Sequence, residues 1–305
     1  MRSKGYRPVV AGIASVPSRA RSLKTALRSI WSQVDYVEVV LNGYDAVPPW
    51  LRGDRVCVAR SQEIGDHADN AKFYGMQKYD DCIYFSIDDD IEYPSDYVAR
   101  MLACMDRFGG QVAVGVHGAF VPAERVSFLH RQVFCFWDEL KFDLPVSYVG
   151  TGTIAISRAL MPTSPIQMFT ETGMSDLFVA SHLKEKGIPA ICVRRPVSWL
   201  RKLSTRGLPS LWDRAQENPV RQNALLLRAA PWGATDLLDR CRAHALEVFA
   251  AEVRIALQVI EDLLNDRQIS DDSLLRLRDR WSDIRHVVRS YAAPYADRLS
   301  NLGLP

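Results

Sequence analysis

The chain has 305 residues, of which 48% are hydrophobic and 24% are charged, the balance of an ordinary globular protein. Its net charge of +2 excludes the strong basic field on which nucleic-acid binding depends, so no nucleic-acid partner is expected. The six cysteines are far apart and form no Cys-x-x-Cys pair, which favours reduced thiols and argues against a zinc site. No apolar run approaches about 18 residues, and the first one is too short for a signal peptide. We therefore expect no transmembrane segment and a cytoplasmic location.

Short apolar runs alternate with amphipathic stretches through the first two thirds of the chain. Strands are predicted at residues 9–14, 36–41, 55–59, 82–87, 111–116, 153–156 and 190–193. Helical spacing of apolar residues follows Ser18 and Pro94, and it recurs in residues 68–79 and 175–186. This alternation is typical of βαβ units, so the sequence predicts an α/β fold with a mostly parallel central sheet.

The composition changes after about residue 199. Residues 201–218 are basic and rich in turn-forming residues, which predicts a loop. Apolar residues then keep a helical period from 234 to about 264, and a further helix is predicted after Ser270. We therefore expect a first domain at 1–210 and a helical C-terminal region at 211–305. The apolar stripes of that region need a partner surface, supplied either by the first domain or by a second copy of the chain in a homo-oligomer.

Three consecutive carboxylates, Asp88, Asp89 and Asp90, form the segment richest in chemistry. They follow the predicted strand at 82–87 and precede a helix that begins near Pro94. In an open α/β sheet, ligands bind beyond the carboxyl ends of the strands, where this cluster falls. A divalent cation would relieve the repulsion between the carboxylates and could neutralise a diphosphate. The alternative is a solvated acidic turn.

Four blocks of sequence appear in a characteristic order around this cluster. They are Ala-Gly-Ile-Ala-Ser-Val-Pro-Ser-Arg at 11–19, Gly-Asp-His-Ala-Asp-Asn-Ala-Lys at 65–72, Gly-Thr-Gly-Thr at 150–153 and Ser-Asp at 175–176. With them, the chain resembles the nucleotide-sugar glycosyltransferases of the GT-A fold, particularly those of family 2. The resemblance spans roughly residues 8–200. It implies a GT-A domain with a helical C-terminal appendage, a divalent metal such as Mn²⁺ or Mg²⁺, and a nucleotide-sugar donor with a UDP-sugar expected. The acceptor would be a hydroxyl group of a saccharide or another molecule.

The resemblance also implies roles for individual residues. Asp88 and Asp90 match the carboxylates that hold the metal, and Asp88 could also contact the donor ribose. Asp176 matches the general base that removes the proton of the acceptor hydroxyl in an inverting transfer. Position along the chain adds two more candidates: His117, after a predicted strand, would line the donor-sugar pocket, and Lys202 would lie on a loop that closes over the diphosphate. The residues expected around the nucleotide are Ser15, Pro17, Arg19, Asn42, Asp66, Asn70 and Lys72.

Each of these positions also has an ordinary structural interpretation. A carboxylate in the first turn of a helix, such as Asp176, is stabilised by the helix dipole alone. Asn70 and Lys72 could simply begin a helix, a lone His117 is often structural, and Lys202 could lie on a solvated loop. Asp89, between the two metal candidates, needs no role and could be exposed.

The sequence departs from the family pattern at three places. The turn after the second strand reads Leu-Asn-Gly-Tyr-Asp at 41–45, where the family usually has Asp-Asp-Gly-Ser. Ser175 stands where the family usually has a glutamate before its aspartate. No histidine near the end of the first domain is available to complete a metal shell, since His244 and His286 lie in the C-terminal region.

Four other functions compete with an inverting glycosyltransferase. A retaining transferase could use the same fold. A nucleotidyltransferase would carry a glycine-rich loop after the first strand, and residues 15–19 lack those glycines. A non-catalytic sugar-binding module would not need Asp88, Asp90 and Asp176 together. A nicotinamide dehydrogenase is disfavoured because no Gly-x-Gly-x-x-Gly follows the first strand.

Overall fold

A computed structural model describes residues 7–204, 215, 217–244, 254, 257, 258, 260–262 and 265. The strands in chain order are β1 (Val9–Ser15), β2 (Tyr36–Leu41), β3 (Val56–Arg60), β4 (Ile83–Ile87), β5 (Ile91–Glu92), β6 (Ala113–Gly115), β7 (Gly118–Phe120), β8 (Gln132–Phe134), β9 (Leu144–Val146), β10 (Tyr148–Val149), β11 (Thr153–Ser157), β12 (Ala190–Cys192) and β13 (Arg201–Lys202). The helices are α1 (Ala20–Ile30), α2 (Ser61–Ile64), α3 (Tyr97–Arg107), α4 (Ser175–Glu185), α5 (Val220–Arg228) and α6 (Ala234–Ala243).

The centre of the fold is an eight-stranded sheet in the order β3-β2-β1-β4-β11-β6-β12-β9. β1 pairs in parallel with β2 and β4, β2 with β3, and β6 with β12. β11 runs antiparallel between β4 and β6, and β9 runs antiparallel at the edge. The mixed but mostly parallel sheet confirms the α/β class predicted from the sequence and is consistent with a GT-A-like arrangement.

The predicted strands and helices form because their apolar residues meet across the sheet faces. Every residue of β4 and β11 is buried, as expected for central strands covered on both sides. In α1, the buried residues include Leu23, Leu27 and Ile30, one face at helical spacing. Helix α4 likewise confirms the helix predicted at 175–186.

The amphipathic stretch before β4 is a 3-10 helix at Ala68–Lys78. It lies directly on the sheet, and Tyr84 of β4 donates its hydroxyl proton to the carbonyl oxygen of Lys72 at 2.8 Å. A Cβ added to Gly12 of β1 would lie 2.2 Å from that carbonyl oxygen and 1.9 Å from the Tyr84 hydroxyl. The close approach of this helix to β1 therefore requires glycine at position 12.

The segment predicted as a loop at 201–218 begins with a short strand. Arg201 and Lys202 form β13, which pairs antiparallel with β5 immediately after the acidic cluster. The loop prediction was wrong for these two residues because the main-chain groups of Ile91 and Glu92 offer a pairing partner far away in sequence. Residues 205–214 lie outside the described part of the chain.

The described part of the C-terminal region packs on the first domain. Leu237, Leu238 and Cys241 of α6, together with Leu257 and Ile260, belong to the same buried cluster as residues of β1, β4 and β11. Packing on the first domain therefore accounts for part of the predicted apolar stripes. The domain boundary near 210 and a homo-oligomer remain predictions, and the helix predicted after Ser270 lies outside the described residues. Within the residues that the structure describes, no helix is long and apolar enough to cross a membrane.

Candidate functional site

The ends of the parallel strands place the predicted site residues along one edge of the sheet. Ile87 at the end of β4 pairs with Ile13 of β1 on one side and with Thr153 of β11 on the other. Ser15 pairs with Leu41, so Asn42 follows at the same edge. Asp88 follows β4, and His117 follows β6 on the far side of β11. Ligands of open α/β sheets bind at this edge.

Asp88 lies at the centre of the edge and is fixed by three neighbours. Its Oδ1 accepts a hydrogen bond from Nζ of Lys72 at 2.7 Å. Its main-chain N donates to the hydroxyl of Tyr93 at 2.9 Å, and that hydroxyl donates to the carbonyl of Gly152 at 2.6 Å. The carboxylate lies against Gly152, where a Cβ would be 1.9 Å from Oδ2. The acidic cluster is thus attached to the loop that precedes β11.

Asp89 is buried, with 4% of its side chain exposed, so the expectation that it could be exposed was wrong. Its two oxygens accept hydrogen bonds from the Ser15 hydroxyl at 2.5 Å and from the Arg19 guanidinium at 2.9 Å. Burial raises the pKa of the Asp89 carboxyl, and these two donors oppose the rise. The middle carboxylate therefore holds the segment after β1 against the acidic cluster, and this explains why Ser15 and Arg19 lie at the site.

Asp90 is a largely buried carboxylate next to Asp88 and Asp89. Burial and then the charge of Asp88 raise its pKa to about 6, while Arg19, 3.6 Å away, and Lys202 lower it. The main-chain N of Leu203 donates to the Asp90 carbonyl at 2.7 Å, so the residue that follows β13 is hydrogen-bonded to the acidic cluster. Lys202 itself is exposed.

The described residues include no cluster of three or more His, Cys, Asp or Glu side chains that could hold a metal ion. A cation here would depend on Asp88 and Asp90. Two carboxylates supplemented by substrate phosphate oxygens are a usual coordination set for Mg²⁺. Burial and then the charge of Asp88 raise the pKa of Asp90, and a divalent cation would relieve the repulsion between the two carboxylates. The two residues therefore fit a metal that binds together with a diphosphate.

Lys72 is a buried cation surrounded by carboxylates. Burial lowers the pKa of Lys72, but the charges of Asp88, Asp176 and Asp69 together raise it by more, so the net shift is upwards. The lysine therefore keeps its charge inside the protein. Its ammonium contacts Asp88, whereas the sequence predicts a nucleotide contact, and its field reaches both Asp88 and Asp176.

Asp176 lies in the first turn of α4 and is bound to the loop that precedes β11. Its Oδ1 accepts hydrogen bonds from the main-chain N of Thr151 at 2.7 Å and from the Thr151 hydroxyl at 2.6 Å. The Ser175 hydroxyl lies 2.7 Å from the same Thr151 hydroxyl. The Gly-Thr-Gly-Thr loop at 150–153 thus contacts Asp176 through Thr151 and Asp88 through Gly152.

The same loop also reaches His117. The main-chain N of His117 donates to the Thr153 hydroxyl at 3.0 Å, and that of Gly150 donates to the His117 carbonyl at 2.9 Å. Burial, followed by the charges of Arg195 and Arg131, lowers the pKa of His117 to about 4. The imidazole is therefore neutral near pH 7.

Several residues predicted to contact the nucleotide have structural hydrogen bonds on the β1–β2 side of the edge. The side-chain amide of Asn42 donates to the Ala68 carbonyl at 2.9 Å, and that of Asn70 donates to the Glu171 carbonyl at 2.9 Å. Asp66 is exposed and accepts from the Ala68 main-chain N at 2.8 Å. Pro17 is exposed in the segment after β1. The two asparagines position the 3-10 helix. Asp66 and Pro17 are more accessible to a ligand than the asparagines because their side chains are exposed.

Three residues that the sequence did not single out complete the site. Asp69 accepts a hydrogen bond from the Gly173 main-chain N at 2.6 Å, so it fixes the segment before α4. Thr151 and Tyr93 hold Asp176 and Asp88 as described above. Two of the three could have been found from the sequence, because Thr151 lies within the Gly-Thr-Gly-Thr block and Tyr93 closely follows the acidic cluster.

Two tryptophans near the edge of the sheet, Trp137 and Trp199, differ in their surroundings. The Trp199 indole N–H donates to Asp96 at 2.9 Å, and its ring centroid lies 5.8 Å from that of Tyr97, so it is engaged in packing. Trp137 is 41% exposed and packs edge-on against Phe136. Phe136 in turn lies edge-on to His117, with 6.2 Å between the centroids. Trp137 is therefore the better placed of the two to meet a ligand.

No protein-family model matches the chain, and no curated protein does. Among solved structures, the chain is similar to S. aureus TarS, residues 1–349, in complex with UDP-GlcNAc. The sequence identity is 10% and the TM-score is 0.39, over 85% of this chain and 71% of the TarS chain. A similarity this low says nothing about the roles of individual residues. The candidate site is therefore defined by the contacts within this chain alone.

Proposed function

We propose that the chain is a glycosyltransferase that moves a sugar from a nucleoside-diphosphate sugar, with UDP as the expected nucleotide, to a hydroxyl group of a saccharide or another acceptor. One observation carries the proposal: Asp88 and Asp176 both lie beside the loop at 150–153 at the carboxyl edge of the sheet, and the charges of both raise the pKa of the buried Lys72. Group transfer from a nucleotide sugar needs a centre for the diphosphate and a base for the acceptor, side by side. These two carboxylates supply that pair.

Asp176 is proposed as the base of an inverting transfer. The acceptor oxygen attacks the anomeric carbon, and the bond from that carbon to the diphosphate oxygen breaks with its electron pair left on the nucleoside diphosphate. The hydroxyl proton goes to the Asp176 carboxylate. A carboxylate held by two donors on one oxygen keeps its other oxygen for this task.

Asp88 and Asp90 are the proposed ligands of a divalent metal, Mn²⁺ or Mg²⁺. When bound, the cation would neutralise charge on the leaving diphosphate. Arg19 and Lys202 add positive charge next to the same carboxylates, as their effect on the pKa of Asp90 indicates. The chain would therefore meet a diphosphate with positive groups from two different segments.

The nucleotide is proposed to lie on the β1–β2 side of Asp88. Pro17 and Asp66 are exposed there, while Ser15, Asn42 and Asn70 fix the segments that carry them. The donor sugar and the acceptor would then meet on the β6 side, where His117 and Trp137 lie. The base lies between the two sides, as a direct transfer requires.

A product-release assay tests the function. The full chain is incubated with Mn²⁺, a panel of UDP-, GDP- and dTDP-sugars and a panel of saccharide acceptors, and nucleoside diphosphate and pyrophosphate are quantified. We expect nucleoside diphosphate release that falls by roughly 10²–10⁴-fold in Asp176→Asn, the usual contribution of a positioned acid-base group, while donor binding persists. Asp80→Asn is the matched control, since Asp80 is an exposed carboxylate just before β4, at the opposite edge.

The same assay separates the competing functions. Pyrophosphate release would indicate a nucleotidyltransferase. Binding of a donor without any release would indicate a sugar-binding module. A product that keeps the anomeric configuration of the donor, with near-normal turnover in Asp176→Asn, would indicate a retaining transferase. Any of these three results overturns the inverting mechanism.

A further inference from the structure

Thr151 makes an unusual pair of hydrogen bonds to a single carboxylate oxygen. Its side chain is buried, with the residue 1% exposed, and both its main-chain N–H and its hydroxyl donate to Oδ1 of Asp176. Among the described residues, none donates a hydrogen bond to Oδ2. One oxygen of the carboxylate is therefore held by the protein and the other is left for a ligand.

The direction of these hydrogen bonds follows from counting hydrogens. A threonine hydroxyl has one hydrogen and two lone pairs, and here the hydrogen is directed to Asp176. The Ser175 hydroxyl, 2.7 Å away, must therefore donate its own hydrogen to Thr151. The result is a directed chain from Ser175 to Thr151 to Asp176, and Ser175 is itself 4% exposed.

We infer that Thr151 is the positioning residue of Asp176 and that Ser175 commits the Thr151 proton to that role. The inference rests on the proposed function, because it concerns how the base is oriented. It also gives a physical reason for a serine at position 175, where the glycosyltransferase family that the chain resembles usually has a glutamate. An ionised glutamate only accepts hydrogen bonds, so a glutamate at this position would compete with Asp176 for the single Thr151 proton. A serine donates instead, and this leaves Asp176 as the acceptor of that proton.

The orientation matters because a carboxylate rotates easily. The last side-chain torsion of an aspartate is broad, so Asp176 without its donors would sample several orientations. Two charge-assisted hydrogen bonds to Oδ1 select one of them. Proton transfer then starts from a pre-oriented oxygen, and the gain is expected in turnover more than in donor binding.

Three variants test the inference in the full chain. Thr151→Val keeps the shape and the main-chain N–H but removes the hydroxyl, Thr151→Ser restores it, and Ser175→Ala removes only the outer donor. With a donor that the wild-type chain turns over, we expect Thr151→Val to lower kcat by roughly 10–100-fold with the donor KM changed by less than about threefold. Thr151→Ser should recover most of kcat, and Ser175→Ala should fall between the two.

A crystal structure of Thr151→Val gives a second readout that does not depend on activity. We expect the Asp176 carboxylate to rotate while the backbone of α4 and of the 150–153 loop stays in place. If Thr151→Val does not fold, the same comparison is made with Ser175→Ala. An unchanged carboxylate orientation, or an unchanged kcat in Thr151→Val, overturns the inference, as does a loss of kcat that Thr151→Ser fails to recover.

Failure of the proposed function would look different. In that case the wild-type chain would release no nucleoside diphosphate from any donor in the panel. The structure of the variant would still decide whether Thr151 and Ser175 orient Asp176. A rotated carboxylate supports the positioning role, and an unrotated one overturns it.

Discussion

Nζ of Lys72 lies 2.7 Å from Oδ1 of Asp88, with 7% of the lysine side chain exposed and 39% of the aspartate side chain exposed. The ion pair therefore links a buried side chain of the 3-10 helix to a partly exposed carboxylate of the site. The charge of Asp176, after that of Asp88, also raises the pKa of Lys72, so the buried ammonium lies in the field of two carboxylates with different proposed roles. A side chain that scarcely contacts solvent therefore contributes a positive charge to the site.

Replacing Lys72 with methionine should destabilise the fold and the site together. Methionine keeps the length of the side chain but leaves Asp88 without its ion-pair partner and removes a positive charge near Asp176. Removing one partner of a buried pair costs about 3–5 kcal/mol, and the partial exposure of Asp88 reduces our expectation to about 2–3 kcal/mol. Urea unfolding measures it, with Arg242→Met as the control because the Arg242–Asp239 pair is exposed. A loss no larger than that of the control would contradict the structural role of Lys72.

Gly152 should be intolerant of even one added methyl group. In Gly152→Ala the new Cβ would overlap Oδ2 of Asp88, so the carboxylate has to move. A displacement of about 1 Å at a reacting centre can lower turnover by roughly 100-fold, and the overpacking should cost about 1–3 kcal/mol of stability. Gly53→Ala is the matched control, since a Cβ there meets only Trp31 at 3.9 Å. Equal turnover in both variants would show that Asp88 need not stay where it is.

His117 should make stability depend on pH below neutrality. Its pKa is lowered from 6.5 to about 4, so the folded chain keeps the imidazole neutral while the unfolded chain takes up a proton. The stabilisation is complete above pH 6.5 and is lost as the pH falls from 6.5 towards 4, by about 2 kcal/mol at pH 5. His117→Asn removes the effect, so its free energy of unfolding should approach the wild-type value as the pH falls from 7.5 to 5. Two curves that stay parallel over this range would contradict the prediction.

The sequence predicted the fold better than the contacts inside the site. Apolar runs such as Ile83–Ile87 are buried because they form central strands, and periodicity alone detects that. The acidic cluster could be placed at the sheet edge for the same reason. The burial of Asp89 could not be predicted, because the period of a strand no longer fixes side-chain directions once the strand has ended. The Thr151–Asp176 contact joins residues 25 positions apart and depends on the conformation of a loop, which leaves no periodic signal.

The metal prediction can be decided by one carboxylate. Asp90→Asn keeps the size of the side chain and removes the charge that repels Asp88, so a divalent cation loses one of its two carboxylate ligands and meets a neutral amide there. We expect the Mn²⁺-dependent part of UDP binding to weaken by roughly 10–100-fold, a range typical of groups that tune a metal site, while binding measured with EDTA changes little. Isothermal titration with and without Mn²⁺ gives both values. Asp96→Asn serves as the control because Asp96 is an exposed carboxylate outside the cluster, bound to Trp199. Equal Mn²⁺ dependence in the wild-type chain and in Asp90→Asn would remove the metal role of Asp90 and leave Arg19 and Lys202 as the positive charges available to a diphosphate.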